Sequence, residues 1–416
     1  MSSDTPAPSA EKPSGFAALR HREFTIFIGS KLLSYSCHHM LVLAVGYQVY
    51  DLTGDAMALA YISLVMVCPT FLFALFTGYV SDRFDRRAVL VAGYGCMAVS
   101  GAVLWIISDL GLIASNWVYI ALFINGTARA FVNPAMNAII PNLVPKDDFA
   151  NAMTWNMVIT RMTQIGGPAL GGVIYLLGPE VVYGTGAICC AIGTFATLSL
   201  TPRAALATGK MPGMGELLAG AVYVFKHKII LGTVMVDLII ILSASIIAVL
   251  PIIAKDLLEV GPAGAGILRS SMAIGGLIAA LAMTQIPITR HAGKIMFVGS
   301  GLLALSVIAM GFSTWFPLSI AIMAFMGMAD MLNVNIRHTF MQVATPDNMR
   351  GRVSSVAMLA ASGGTELGGF RAGMMAAMIG IVPSIVVGGA VGIVLVGVCW
   401  KLFPEMVRVQ QMDRFD

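Results

Sequence analysis

Twelve stretches of this chain are each long and apolar enough to cross a lipid bilayer, and that constrains its fold more than any other feature. A spanning helix needs about 20 mostly apolar residues. Such windows run near 24–50, 56–81, 88–108, 115–141, 149–176 and 181–201, and again near 228–254, 262–287, 294–313, 315–342, 352–378 and 382–403. With 58% hydrophobic and 11% charged residues, the chain has too little polar surface to cover itself in water. In lipid the requirement reverses: apolar side chains face outward, and the backbone satisfies its hydrogen bonds within helices. An all-α membrane protein is expected.

The basic residues between the windows give an orientation. With Met1 inside, the cytoplasmic segments hold Lys12, Arg20, Arg22, Arg83, Arg86, Arg87, Lys146, Arg203, Lys210, Lys226, Lys228, Arg290, Lys294, Arg350, Arg352, Lys401, Arg408 and Arg414. The outside loops hold Lys255 alone. That asymmetry predicts twelve spans in a bacterial-type inner membrane, with both termini cytoplasmic. The first two dozen residues carry no short apolar core followed by a small-residue cleavage site, so no signal peptide is expected.

A repeat divides the chain. A shift of 201 positions lays Pro145-Lys146-Asp147-Asp148 on Pro346-Asp347-Asn348-Met349, Gly126 on Gly327, Gly167 on Gly368 and Gly172 on Gly373. The expected organisation is a cytoplasmic tail over 1–22, a six-helix bundle over 23–201, a cytoplasmic linker over 202–227, a second bundle over 228–403 and a tail over 404–416. Two halves related this way suit a transporter with its substrate site between them near the midplane.

Two motifs sharpen the expectation. Gly78-Tyr-Val-Ser-Asp82-Arg83-Phe-Asp85-Arg86-Arg87 lies between the second and third spans. It resembles the signature loop of the major facilitator superfamily, although Asp85 stands close to where that signature has a glycine. The bland reading is a positive-inside loop. The resemblance implies instead a gating turn, with Asp82 docking at the start of the eleventh span near Arg352. In the fifth span, Gly166-Gly167-Pro168-Ala-Leu-Gly171-Gly172 is similar to the core of the antiporter motif of drug and metabolite exporters, without its upstream glycines. Close helix packing by small residues is the competing explanation. With the Tyr47-Gln-Val-Tyr-Asp51-Leu-Thr-Gly54 segment and the Thr345-Pro346 entry to the eleventh span, the chain resembles the branch containing the enterobactin exporter and the macrolide efflux proteins. That resemblance implies a major facilitator fold of two pseudo-symmetric six-helix bundles. It also implies export powered by a proton gradient, with no bound cofactor or metal.

Ionisable groups inside spans are costly to bury and so are functional candidates. They are Lys31, Arg129, Arg161, Arg269, Arg337 and Arg371, the acids Asp237, Asp330 and Glu366, and His38, His39 and His338. Asp330, Glu366 and Asp237 are the candidates for proton coupling. Each alternatively serves as a fixed partner of Arg337 or Arg371. His38, His39, Arg129, Arg161, Arg337 and Arg371 are the candidates for lining a substrate cavity. The repeat sets Arg129 opposite Asp330, predicting an ion pair across the cavity. The basic excess points to an anionic or chelating cargo such as a siderophore or organic acid.

The six cysteines lie in apolar runs without metal-ligand spacing, and the net charge of +4 suggests no nucleic-acid partner. No Walker loop, His-Glu-x-x-His or Ser/His/Asp constellation is present, which argues against a membrane enzyme or an ATP-driven pump. The expected partners are a small-molecule substrate and the bilayer, with the protein acting as a monomer. A metabolite importer or a non-transporting sensor on the same fold are the alternatives.

Overall fold

Backbone groups in a hydrocarbon layer find partners only within helices or closed barrels, and this chain takes the helical solution. The computed structural model describes residues 15–113, 116–201, 214–286 and 291–408. The expected tails before 15 and after 408, the linker over 202–213 and the bases Lys12, Arg203, Lys210, Arg290 and Arg414 lie outside the described residues. Among the described residues there is no strand.

The first half comprises α1 (Arg22–Thr53), α2 (Ala56–Leu72, resuming after Phe73 as Ala74–Arg83), α3 (Arg86–Asp109), α4 (Trp117–Leu143), α5 (Phe149–Ile174) and α6 (Pro179–Leu198). A linker helix, Met214–Lys226, leads to the second half. There α7 (Lys228–Ala244) continues through a 3₁₀ turn at Ile247–Val249 and a π turn at Ile253–Leu257. It is followed by α8 (Gly261–Gln285), α9 (Ala292–Phe312), α10 (Phe316–Val343), α11 (Asp347–Ile379) and α12 (Ile381–Leu402).

Local chemistry sets the ends. Gly54 closes α1 in the left-handed region (φ 62°), and the Asp55 side chain accepts the Met57 N–H at 2.8 Å to open α2. Pro179 and Pro262 sit in the first turn of α6 and α8, where a missing N–H costs nothing. Seven helices (α3, α6, α7, α8, α9, α10 and α12) are apolar and long enough to cross a membrane on that criterion alone. The long helices α1, α4, α5 and α11 carry Lys31, His38, His39, Arg129, Arg161, Glu366 and Arg371, and they build much of the interior. Large apolar side chains such as Phe195, Leu281, Phe312 and Val394 stand exposed, as lipid permits.

The glycines paired by the 201-residue repeat occupy matching contacts in the two halves. A Cβ on Gly126 would stand 2.8 Å from the Met66 carbonyl oxygen of α2, and one on Gly327 would collide with the Met272 carbonyl oxygen of α8. Gly167 lies against Ser36 of α1 as Gly368 lies against Ile241 of α7. Gly172 meets α8 at Pro262, and Gly373 meets α2 at Ala60. The first four contacts hold each bundle together, and the last two join the bundles. The twelve long helices form two pseudo-symmetric bundles, with α2 packed along α11 and α5 along α8 at their junction.

Candidate functional site

The two bundles are sealed together at the end remote from both termini, the outer end of the basic-residue census. A Cβ on Gly172 would lie 2.6 Å from the Pro262 carbonyl oxygen, and one on Gly373 2.7 Å from the Ala60 nitrogen. Only glycine permits such an approach. Beyond this seal, two neighbouring residues of each half exchange polar contacts. The Tyr50 hydroxyl donates to Asp256 Oδ2, while Lys255 Nζ pairs with Asp51 Oδ1 at 2.7 Å and donates to the Asp51 carbonyl at 3.1 Å. Lys255 also stands 5.7 Å from the centre of the Tyr50 ring. The π turn at Ile253–Leu257 presents both C-half residues of this clasp.

The pair is partly exposed, so it is worth only about 0.2–1 kcal/mol. Lys255→Glu is nevertheless expected to turn attraction into repulsion and raise the population with this end of the junction open several-fold. Accessibility of a cysteine placed at the outer end reads the change, and a reversed pair, Asp51→Lys with Lys255→Glu, is expected to restore the original value.

Beneath the clasp, α1, α2, α7, α8 and α11 enclose a cavity of about 110 Å³ between the halves. Arg269 and Glu366 both line it. The charges of Arg129 and Arg269 both reach Glu366, and both reach His38 and His39. None of the three charged groups, Arg129, Arg269 or Glu366, has a salt bridge or side-chain hydrogen bond among the described residues, and Arg129 Nε is buried without a partner. The histidines divide their roles. His38 is buried with Nδ1 2.9 Å from Asn125 Oδ1, an internal polar contact. His39 lies against Gly167, and its buried Nδ1 has no partner.

A second charged group lies around α10. Arg337 Nη1 donates to Asp237 Oδ2 in an ion pair joining α10 to α7, with Asp237 5% and Arg337 7% exposed. Asp330 has no salt bridge among the described residues; the charges that reach it are those of Asp237, Arg337 and, from the other half, Arg161. Arg161 crosses the junction, with Nη2 2.9 Å from Met331 Sδ and Nη1 donating to Gln164 Oε1 at 3.0 Å. The expected Arg129–Asp330 pair is therefore not formed. Arg129 belongs to the Glu366 group and Asp330 to the Arg161 group. The repeat matched the two residues in depth, but it carried no information on the direction each helix turns its side chain.

Comparison with known proteins places this arrangement in a family. A family model described as transmembrane secretion effector matches residues 13–415. The chain belongs to this family of major facilitator transporters. Enterobactin exporters of Citrobacter koseri and Salmonella typhi are each 23% identical, over 94% of this chain and 94% of theirs. A macrolide efflux protein of Streptococcus pyogenes is 29% identical over 36% of this chain and 37% of its own length. Among solved structures, a bacterial homologue of the human lysosomal transporter Spinster aligns with TM-score 0.73 at 13% identity, covering 95% of this chain and 99% of that one. A D-xylose–proton symporter aligns with TM-score 0.70 at 14% identity, over 94% and 99%. At such identities these structures speak to the fold alone. The family is one of transporters, not enzymes.

The remaining candidates fall into place within this transporter. Asp85 caps α3, its Oδ1 accepting the Arg87 N–H at 3.0 Å, which gives a structural reason for a carboxylate at that position. Arg86 donates to the Ala138 carbonyl of α4 at 2.8 Å and Arg87 to the Leu198 carbonyl of α6, tying the loop to its own half. The Asp82 side chain lies outside the described residues. The glycine segment of α5 works on two faces: Gly167 and Gly171 seat against α1, whereas Gly172 and the Pro168 carbonyl meet Gly266 of α8. Lys31 is held by Asn156 Oδ1 at 2.6 Å and Thr160 Oγ1 at 2.7 Å, inside the first bundle. Arg371 turns to the Ser245 carbonyl at 3.2 Å rather than to Glu366. The clasp residues were not among the sequence candidates, although Lys255, as the lone base of the outside loops, was their visible trace.

Proposed function

We propose that the chain exports a small organic solute from the cytoplasm by alternating access, with the two bundles rocking about the central cavity and an inward proton gradient supplying the energy. Full-length similarity to enterobactin exporters and partial similarity to a macrolide efflux protein support export of a siderophore, drug or anionic metabolite. The charge census supports an inner-membrane placement with cytoplasmic termini, in which the clasp faces outward. A monomer suffices, because both walls of the cavity come from one chain.

Asp330 is the group proposed to exchange the proton, and one observation carries this choice. Like Glu366 it is an intramembrane carboxylate without a fixed salt bridge among the described residues, but it stands outside the cavity lining that Glu366 shares with Arg269, and the charge of Arg161 of the opposite half bears on it. Protonation removes its attraction for Arg161, so one proton biases the fit of the two halves. Asp237, locked to Arg337, is less suited to give and take a proton in each cycle.

The test is flux in proteoliposomes under an imposed pH gradient, with iron-free enterobactin and a macrolide as probes. Wild-type protein is expected to move a probe against the proton flow. Asp330→Asn is expected to lower gradient-driven flux by about tenfold or more while retaining probe-for-probe exchange, as for an intramembrane carrier of the coupling proton. Movement with the proton flow would make the protein an importer, and an undiminished variant would remove Asp330 from the coupling.

A further inference from the structure

The cavity between the halves holds an imbalance that the proton site does not use. Arg269 of α8 lines the cavity together with one carboxylate, Glu366 of α11, while Arg129 of α4, from the opposite bundle, stands outside the lining with its charge still bearing on Glu366. Arg269 and Glu366 line the same 110 Å³ space, yet they do not close on each other as an ion pair. Arg129 and Arg269 find no hydrogen-bond acceptor among the described residues, and the Arg129 Nε is buried. A cation held in a site of low dielectric without an acceptor is expensive, and a planar guanidinium favours anionic oxygens. The space is roomy enough for several waters, or for one small acid group in their place.

We propose that this cavity seats an anionic oxygen group of the cargo on Arg269, with the charge of Arg129 behind it, and that Glu366 is the cargo's built-in competitor for those cations. When the seat is empty, the Glu366 carboxylate supplies the counter-charge and lets the unloaded carrier change conformation. When the cargo's acid group enters, Glu366 yields the cations to it. His38 and His39 of α1 feel the same two arginines but do not line the space, His38 being turned to Asn125 and His39 packed against Gly167. Ser63 of α2 and Thr365 of α11 add uncharged polar groups at its edge. The proposal rests on the exporter reading for calling the bound molecule cargo, but not for transport direction or energy source.

The test is ligand binding to purified full-length protein at neutral pH without any gradient, so that failure of proton coupling leaves it unaffected. The probes are salicylate, 2,3-dihydroxybenzoate and citrate, each paired with its uncharged amide, and the readouts are thermal shift and calorimetry. At least one acid is expected to stabilise the wild type while its amide does not. Arg269→Gln is expected to lose that acid-specific shift and Arg269→Lys to keep part of it, which separates loss of charge from loss of folding. Glu366→Gln is expected to bind the acid about tenfold more tightly, the scale of one removed charge competitor in a partly screened site. Equal shifts with acid and amide, no response to any of the three acids, or retention of the acid-specific shift in Arg269→Gln would overturn the seat. Weaker acid binding by Glu366→Gln would overturn the competitor role.

Discussion

Gly266→Leu is expected to abolish transport while leaving a folded, monodisperse protein. Gly266 sits where α8 crosses α5, and a Cβ there would run into the Pro168 carbonyl oxygen. From the other side, a Cβ on Gly172 would stand 3.3 Å from the Gly266 Cα. The obstacle is backbone on both helices, so no side-chain rotation relieves it. Overpacking of this kind costs about 1–3 kcal/mol. That penalty falls on the state in which the outer end is closed, and ~3 kcal/mol shifts a two-state balance by roughly a hundredfold. The variant is therefore expected to stay open to the outside and lose flux with any cargo. Gly301→Leu serves as the control: no atom lies within 4 Å of a Cβ at that position, and near-normal flux is expected.

Asp237→Ala is expected to destabilise the second bundle by about 3–5 kcal/mol, because it strands a buried arginine. Arg337 is 7% exposed, its Nε already lacks a partner, and Asp237 is its sole salt-bridge partner among the described residues. Thermal unfolding in detergent, monitored by exposure of the buried Cys399, reads the loss. Replacing both residues by leucine removes the charge along with its partner and is expected to recover most of the stability. A single variant as stable as wild type would mean that water or a neighbouring group satisfies Arg337.

Much of this architecture was legible in the sequence because lipid enforces it. The apolar windows and the one-sided basic residues mark where helices cross, and the repeat at Gly126, Gly167 and Gly172 marks where helices touch. The finer geometry of the site was not legible. Depth along a helix follows from counting residues, but facing depends on helix rotation, and the repeat carries no rotational information between bundles. Arg129 and Asp330 consequently looked like partners and proved to belong to different groups. Asp237 was open to either role, proton carrier or fixed partner of Arg337 or Arg371, and only the packing of α7 against α10 selects Arg337. The clasp depends on the π turn near Leu257, which advances Lys255 and Asp256 toward α1. No residue pattern marks that turn in advance. Asp85 was read as a departure from a family signature, and its capping bond to Arg87 gives it a local purpose.

The central claim is that the halves alternate between a closed and an open outer end, with Asp330 setting the balance. Spin labels at Leu52 and Glu259, both exposed and flanking the clasp from opposite bundles, test it directly by distance measurement. The account predicts two distances in wild-type protein in lipid, with a ratio that changes with pH, and a ratio that no longer responds to pH in Asp330→Asn. A single distance at every pH, or an unaltered pH response in Asp330→Asn, would contradict it.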